Sequence, residues 1–185
     1  MDAVAKASGM SKSTVYVYFR SKESMFLHLV LEGLSELRDT VRGLTGTCST
    51  AEAFHSAVCE CIIDMHNREP LFFHSIVGVG PIGEARRFHP NLAQQIDALR
   101  EEILLAIVDA LAATGYGIAH EMDEGERLEL GYVLWACMYG IIRLGEAQSW
   151  YIGEQFGKEK WEFMRKSFER LLNMSVTACP NPTCR

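Results

Sequence analysis

The 3.6-residue recurrence of apolar side chains constrains this fold more than any other feature. It runs through nearly every segment, and no stretch alternates apolar and polar residues over the length of a strand. No Asn-Gly or Asp-Gly pair marks a hairpin. The chain therefore reads as all-α. Its 185 residues are enough for one or two small helical domains with a real core. Only 5 Pro and 15 Gly argue against long low-complexity stretches.

Start and stop residues divide the chain. Asp2–Ser8 forms a short helix closed by Gly9, and Ser11 caps a second helix, Ser11–Phe19. Ser21 caps a third, running to about Gly43 with Phe26, Val30, Gly33, Leu37, Val41 and Leu44 on one face. Ser49-Thr50-Ala51-Glu52 fits a capping box. The helix after it carries Phe54, Val58, Cys61, Ile62 and Met65 on one stripe and ends near Glu69-Pro70. Residues 71–90 are less regular. Asn91–Thr114 is periodic through Leu92, Ile96, Leu99, Ile103 and Ile107, Asp123 caps a long helix to about Tyr151, and a last helix runs from about Lys158 to Met174.

The charge is uneven. The net charge is −6, yet residues 1–22 set Lys6, Lys12, Arg20 and Lys22 against Asp2, a local +3 that leaves −9 on the remainder. An acidic protein that touches a polyanion must concentrate its cations in this way. Asp2 and Lys6 interrupt any early apolar stretch, so no signal peptide is expected. The near-apolar run Gly131–Ile142 is shorter than the roughly 20 residues of a membrane span. A cytoplasmic protein without a membrane partner follows, with Cys48, Cys59, Cys61, Cys137, Cys179 and Cys184 reduced.

The run from Asp2 to Lys22 carries the chemistry. Val4 and Ala5 are small apolar residues where two helices must pack closely, Gly9 permits the positive φ of a tight turn, and Met10 is expected to plug the corner. Val15 and Phe19 bury one face of the second helix. The rest of that helix offers Lys12, Ser13, Thr14, Tyr16 and Tyr18, all hydrogen-bond donors suited to a major groove. Lys22 opens the next helix, where backbone N–H groups also favour a phosphate.

This run, Gly9-Met10-Ser11-Lys12-Ser13-Thr14-Val15-Tyr16-Val17-Tyr18-Phe19-Arg20-Ser21-Lys22-Glu23, resembles the TetR family of bacterial transcriptional regulators. The resemblance implies a helix-turn-helix DNA-binding head followed by a helical ligand-binding and dimerisation domain. It puts Lys12, Ser13, Thr14, Tyr16, Tyr18 and Lys22 at DNA-contacting positions. Thr14, Tyr16, Tyr18 and Lys22 would hold phosphates, and Lys12 and Ser13 would face bases. Residues 1–46 would be the head with its connecting helix, 47–178 the body and 179–185 a flexible tail. The family places one more helix ahead of this motif, and the 185 residues are missing that first helix. Val4, Val15, Phe19 and Phe26 are then expected to lose part of their cover, and the head to be loose with weak operator binding.

In the body, Phe54, Val58, Cys61, Ile62, Met65, Leu104, Ile107, Val108, Trp135, Met138, Tyr139 and Ile142 offer more aromatic and methionine surface than a thin bundle needs. A cavity among them would bind a small apolar or aromatic effector. A filled core is the other reading. The 123–151 helix is apolar nearly all round, which demands burial on several sides. Its small residues Gly131, Ala136, Gly140 and Ala147, with Trp161, Met164, Phe168 and Leu171 of the last helix, suit a two-fold four-helix bundle in a homodimer. A dimer is also what a palindromic double-stranded DNA operator requires.

Other signals are weaker. Gly78-Val79-Gly80-Pro81-Ile82-Gly83 spells a dinucleotide fingerprint but lacks the strand and helix around it. His55, Cys59 and His66 share one helix edge and read as a half-exposed flank rather than a metal site. Cys179 and Cys184 lie in the tail with no second cysteine pair beside them. No nucleophile elbow or Ser/His/Asp arrangement points to an enzyme, and no cofactor is implied. The expected function is a homodimeric repressor released from its operator by a small ligand. The alternative is a small-molecule-binding or interaction module that has lost DNA binding.

Overall fold

Side chains that satisfy the orphan backbone groups set the helix ends. The computed structural model describes residues 1–68, 73, 86–113 and 122–177, with side chains as far as Leu171. Among them are α1 (Asp2–Ser8), α2 (Lys12–Tyr18), α3 (Lys22–Thr45), α4 (Ala51–Arg68), α5 (Pro90–Ala113), α6 (Glu124–Ala147), α7 (Ser149–Phe156) and α8 (Lys160–Thr177), and no strand. The fold is all-α, as the periodicity requires. The Gly78–Gly83 run, Gly115-Tyr116-Gly117, the Cys179–Cys184 tail and most of the irregular 71–90 stretch lie outside the described residues.

α6 opens on a full capping box. The Glu126 N–H donates to Asp123 Oδ1 and the Asp123 N–H to Glu126 Oε2, both at 2.9 Å. At α4 the expected Ser49/Glu52 box does not form. Thr50 Oγ1 accepts the Ala53 N–H at 3.1 Å, so the cap sits one residue later, and three residues on from it is an alanine with no acceptor to return. The helix expected over 123–151 is two helices. Gln148 leaves helical geometry at φ −116° and ψ 22°, between α6 and α7. The apolar face runs on through the break from Gly145 to Ile152, both buried, so periodicity gives no sign of it.

α3 forms the centre. Leu27, Val30, Leu34, Leu37 and Val41 are at most 1% exposed and share one core with Phe54, Val58, Ile62 and Met65 of α4, Ile96, Ile103 and Ile107 of α5, Met138 and Ile142 of α6, and Met164 and Phe168 of α8. The helix that leaves the head is thus the spine of the body. Two glycines allow close crossings. A Cβ on Gly131 would lie 2.9 Å from Leu104 Cβ and 3.3 Å from its carbonyl oxygen, and one on Gly145 would meet the Met164 side chain, with its Cγ at 3.0 Å.

Three residues expected at a dimer interface are spent inside the chain. Gly131 is buried against α5, and Met164 and Phe168 are 0% exposed in the core. α8 lays its apolar face on α4 and α6 of its own chain, which buries Met164 and Phe168, and Leu104 of α5 covers Gly131. Trp161 and Leu171 are half-buried, and Ala136, Gly140 and Ala147 are exposed. The flank of α4 is corrected for the same reason. His55, Cys59 and His66 are buried, not half-exposed, because α8 covers them: His55 meets the Phe168 ring edge-on at 6.1 Å and His66 the Trp161 ring at 5.3 Å.

Candidate functional site

α1 ends in a Schellman turn. Gly9 stands at φ 68°, with the Met10 N–H donating to Ala5 O at 3.0 Å and the Gly9 N–H to Lys6 O at 3.4 Å. Gly9 meets the positive φ cheaply because it has no Cβ. The corner is not plugged as expected: Met10 is 50% exposed, because the backbone bonds close the turn without its side chain. Two residues later α2 begins. Ser11 Oγ accepts the Thr14 N–H at 3.1 Å and also meets the Ser13 and Thr14 hydroxyls, each at 2.7 Å.

α2 turns Val15 inward at 3% exposed, while Phe19 is half-buried with its ring 5.7 Å from His28, edge-on. Val4 and Phe26 are also half-buried, so of the four residues expected to lose cover only Val15 keeps it fully. Lys12, Ser13, Thr14, Tyr16 and Tyr18 are all exposed, as is Lys22 in the first turn of α3. Ser13 and Val17 stand about half a turn from Val15, at the centre of the outward face; Thr14 and Tyr16 flank them, and Lys12 and Tyr18 lie nearer to Val15, at about 60° from it. Val17, 80% exposed, joins that face although it carries no hydrogen-bonding group to mark it in the sequence. Its spacing was the available signal, four after Ser13 and two after Val15.

Electrostatics hold the head in order. Lys12 Nζ pairs with Asp2 Oδ1 at 2.9 Å, across the two helices. This hydrogen bond and the charges behind it lower the Asp2 carboxyl and raise the Lys12 ammonium. Both side chains are solvent-exposed, so the pair is easily exchanged for a phosphate. Ser21 Oγ accepts the Ser24 N–H at 3.0 Å, capping α3, and lies 3.2 Å from His89 Nε2, tying the head to the start of α5.

A helix, a glycine turn and a second short helix with an outward polar face make up a helix-turn-helix. Residues 1–29 match the family described as bacterial regulatory proteins, tetR family. The match ends within α3 and does not extend over the body. Over this segment the chain is similar to the DNA-binding head of that family. No curated protein and no solved structure matches it.

The body holds two clefts on either side of Trp135. One is lined by Leu34, Arg100, Ile103, Leu104, Tyr132 and Trp135. The other is lined by Ile62, Phe73, Trp135, Met138, Tyr139 and Ile142, and both are narrow. The structure thus brings Leu104, Trp135, Ile62, Met138, Tyr139 and Ile142 to a cleft wall. Phe54, Val58, Met65 and Ile107 lie in the packed core, Cys61 is half-buried against it, and Val108 belongs to a small cluster with Ala112. Arg100 is not legible in the sequence, since a charged residue on a polar-looking helix edge carries no local mark of a cleft.

His55 and Cys59 form no reactive pair. Cys59 Sγ lies 3.4 Å from His55 Nε2, but burial pushes the thiol up to about 12 and the imidazole down to about 4, so both are neutral. Among the described residues no group of acidic, His and Cys side chains could hold a metal ion. His66 Nε2 lies 2.5 Å from Glu146 Oε1, linking α4 to α6.

α6 is long and apolar enough to cross a membrane, with mean hydropathy 1.2 over its best window, of which 28% is buried. This window is wider than the Gly131–Ile142 run, which alone is too short for a span. Gly131 and Gly145 seat one side of it on α5 and α8. The other side exposes Tyr132, Val133 and Leu144 with Ala136, Gly140 and Ala147 between them. Trp150 and Tyr151 of α7 continue the exposed apolar surface.

Proposed function

We propose that this protein is a TetR-like transcriptional regulator, a cytoplasmic repressor that binds a palindromic operator as a homodimer and is released by a small ligand held in the body. The observation that carries the reading is α2, which buries Val15 and presents Lys12, Ser13, Thr14, Tyr16 and Tyr18 outward. Tyr16, Tyr18, Thr14 and Lys22 would take phosphates. Ser13 and Lys12 would reach base edges, joined by Val17, whose methyl groups suit a thymine methyl. The exposed α6 face supports dimerisation. Val133 and Leu144, 53% and 55% exposed, are apolar groups that a second copy would cover, with Ala136, Gly140 and Ala147 allowing close approach. α3 supports release, because it begins directly after the head and lines a cleft of the body with Leu34.

The alternative, a small-molecule-binding module without DNA binding, is favoured by the half-exposed Val4, Phe19 and Phe26, which leave the head thinly packed. A mobility-shift titration of the protein on its own promoter region decides between them. The repressor reading expects a shift that weakens steeply with added salt and is impaired by Ser13→Ala and Tyr16→Phe. No shift at low salt, or one indifferent to salt, refutes it.

A further inference from the structure

We propose that Asp2 sharpens the sequence selectivity of the head by holding Lys12 off the phosphates of non-operator DNA. Asp2 is a positioning residue that acts through Lys12. The inference rests on the DNA-binding part of the proposed function and adds to it a residue that opposes binding.

Three observations converge on it. The first is charge. Asp2 is the one acidic side chain in residues 1–22, set against Lys6, Lys12, Arg20 and Lys22. Among the described residues Lys6, Arg20 and Lys22 enter no ion pair, so the carboxylate singles out the cation that opens α2. The second is geometry. Lys12 Nζ lies 2.9 Å from Asp2 Oδ1 and 3.1 Å from Asp2 Oδ2, so one ammonium meets both oxygens. Lys12 leaves α2 at about 60° from the buried Val15, and the pair keeps its ammonium on α1 rather than on the outward face.

The third is exposure. The Lys12 side chain is 54% exposed and that of Asp2 79%, so a phosphate can compete for the ammonium. The exchange leaves the Asp2 carboxylate unpaired beside a polyanion, a like-charge cost attached to every phosphate contact that Lys12 makes. Non-specific binding is almost wholly phosphate contact and bears this cost in full. A base pair differs, because the major groove sets an acceptor beside a donor, guanine O6 beside cytosine N4. The Lys12 ammonium and the Asp2 carboxylate together match both, so the pair need not part on an operator.

Fluorescence anisotropy of the full chain with a labelled random-sequence duplex, over a salt series, tests this. Asp2→Asn is expected to tighten binding at low salt by about two- to fivefold, the range that an exposed ion pair sustains. It should also steepen the dependence of log K on log salt by about 0.9, the share of one phosphate. The preference for the protein's own promoter fragment over the random duplex should fall by a similar factor. Asp2→Glu keeps the carboxylate and should stay near the native values. In a Lys12→Gln background Asp2→Asn should leave the slope unchanged, since no cation is freed. Asp2→Ser, whose hydroxyl still serves the first turn of α1, repeats the test if circular dichroism shows Asp2→Asn to lose helix. The proposal is overturned if the native chain binds and Asp2→Asn neither tightens binding nor lowers the promoter preference, or if the steepening persists without Lys12. If the native chain and Asp2→Asn both leave either duplex unbound at low salt, DNA binding itself is refuted and this inference with it.

Discussion

Replacing Gly131 and Gly140 by alanine, one at a time, measures how tightly α5 and α6 cross. Both glycines lie in the interior of the same helix, so each alanine gains about 1 kcal/mol of helix propensity. The two differ in what the new methyl meets. At Gly140 nothing lies within 4 Å. At Gly131 it would sit 2.9 Å from Leu104 Cβ and 3.3 Å from the Leu104 carbonyl, and a Cβ and a backbone oxygen cannot swing aside as a side-chain tip can. Overpacking of this kind costs about 1–3 kcal/mol. The propensity gain is common to both and cancels in the comparison, so Gly131→Ala should be about 1–3 kcal/mol less stable than Gly140→Ala. In a chain of this length that corresponds to a separation of several degrees in Tm. Urea denaturation followed by far-ultraviolet circular dichroism gives both values. The single chain predicts that Gly140→Ala is more stable than the parent. If a second copy packs on that face, the gain should shrink as protein concentration rises. Equal and same-signed shifts for the two variants would refute the tight α5/α6 crossing.

Two further outcomes follow from the neutral pair on α4. His55 is 8% exposed and its pKa is pushed down to about 4, so below its unfolded value of about 6.5 the unfolded chain binds a proton that the folded one refuses. Stability is full above that value and is lost as pH falls towards 4; between pH 7 and pH 5 the loss from this group is about 2 kcal/mol, and His55→Leu should remove that part of the slope in urea titrations at the two pH values. Cys59, pushed up to about 12, should resist maleimide at pH 8 in the folded protein while the half-buried Cys48 and Cys137 react, as peptide mapping would show; labelling of Cys59 at the rate of Cys48 would contradict its burial.

The head was legible in the sequence because its determinants are local. Gly9, Ser11, Ser21 and the Val15/Phe19 spacing act within one or two turns of the residues they organise. The same holds for the Asp123 cap. The failures are equally specific. Periodicity located the Phe54–Met65 stripe but not the burial of His55, Cys59 and His66, since a second covered face appears only when α8 lies on it. Composition marked Gly131, Met164 and Phe168 as interface material and could not say that their partner is the same chain. The stripe expected to hold an effector divides in the structure, with Ile62, Leu104, Trp135, Met138, Tyr139 and Ile142 on cleft walls and Phe54, Val58, Met65 and Ile107 filling the core.

The sequence alone determined that the chain is helical, where α2 lies and which side chains it turns outward, because caps, turns and the 3.6-residue period act between near neighbours. The tertiary structure decided what each helix face meets. It seated Gly131 on Leu104 and Gly145 on Met164, left Val133 and Leu144 uncovered, and set Arg100 in an apolar cleft beside the helix that carries the head. Those outcomes depend on contacts between residues tens of positions apart, and only packing chooses among them.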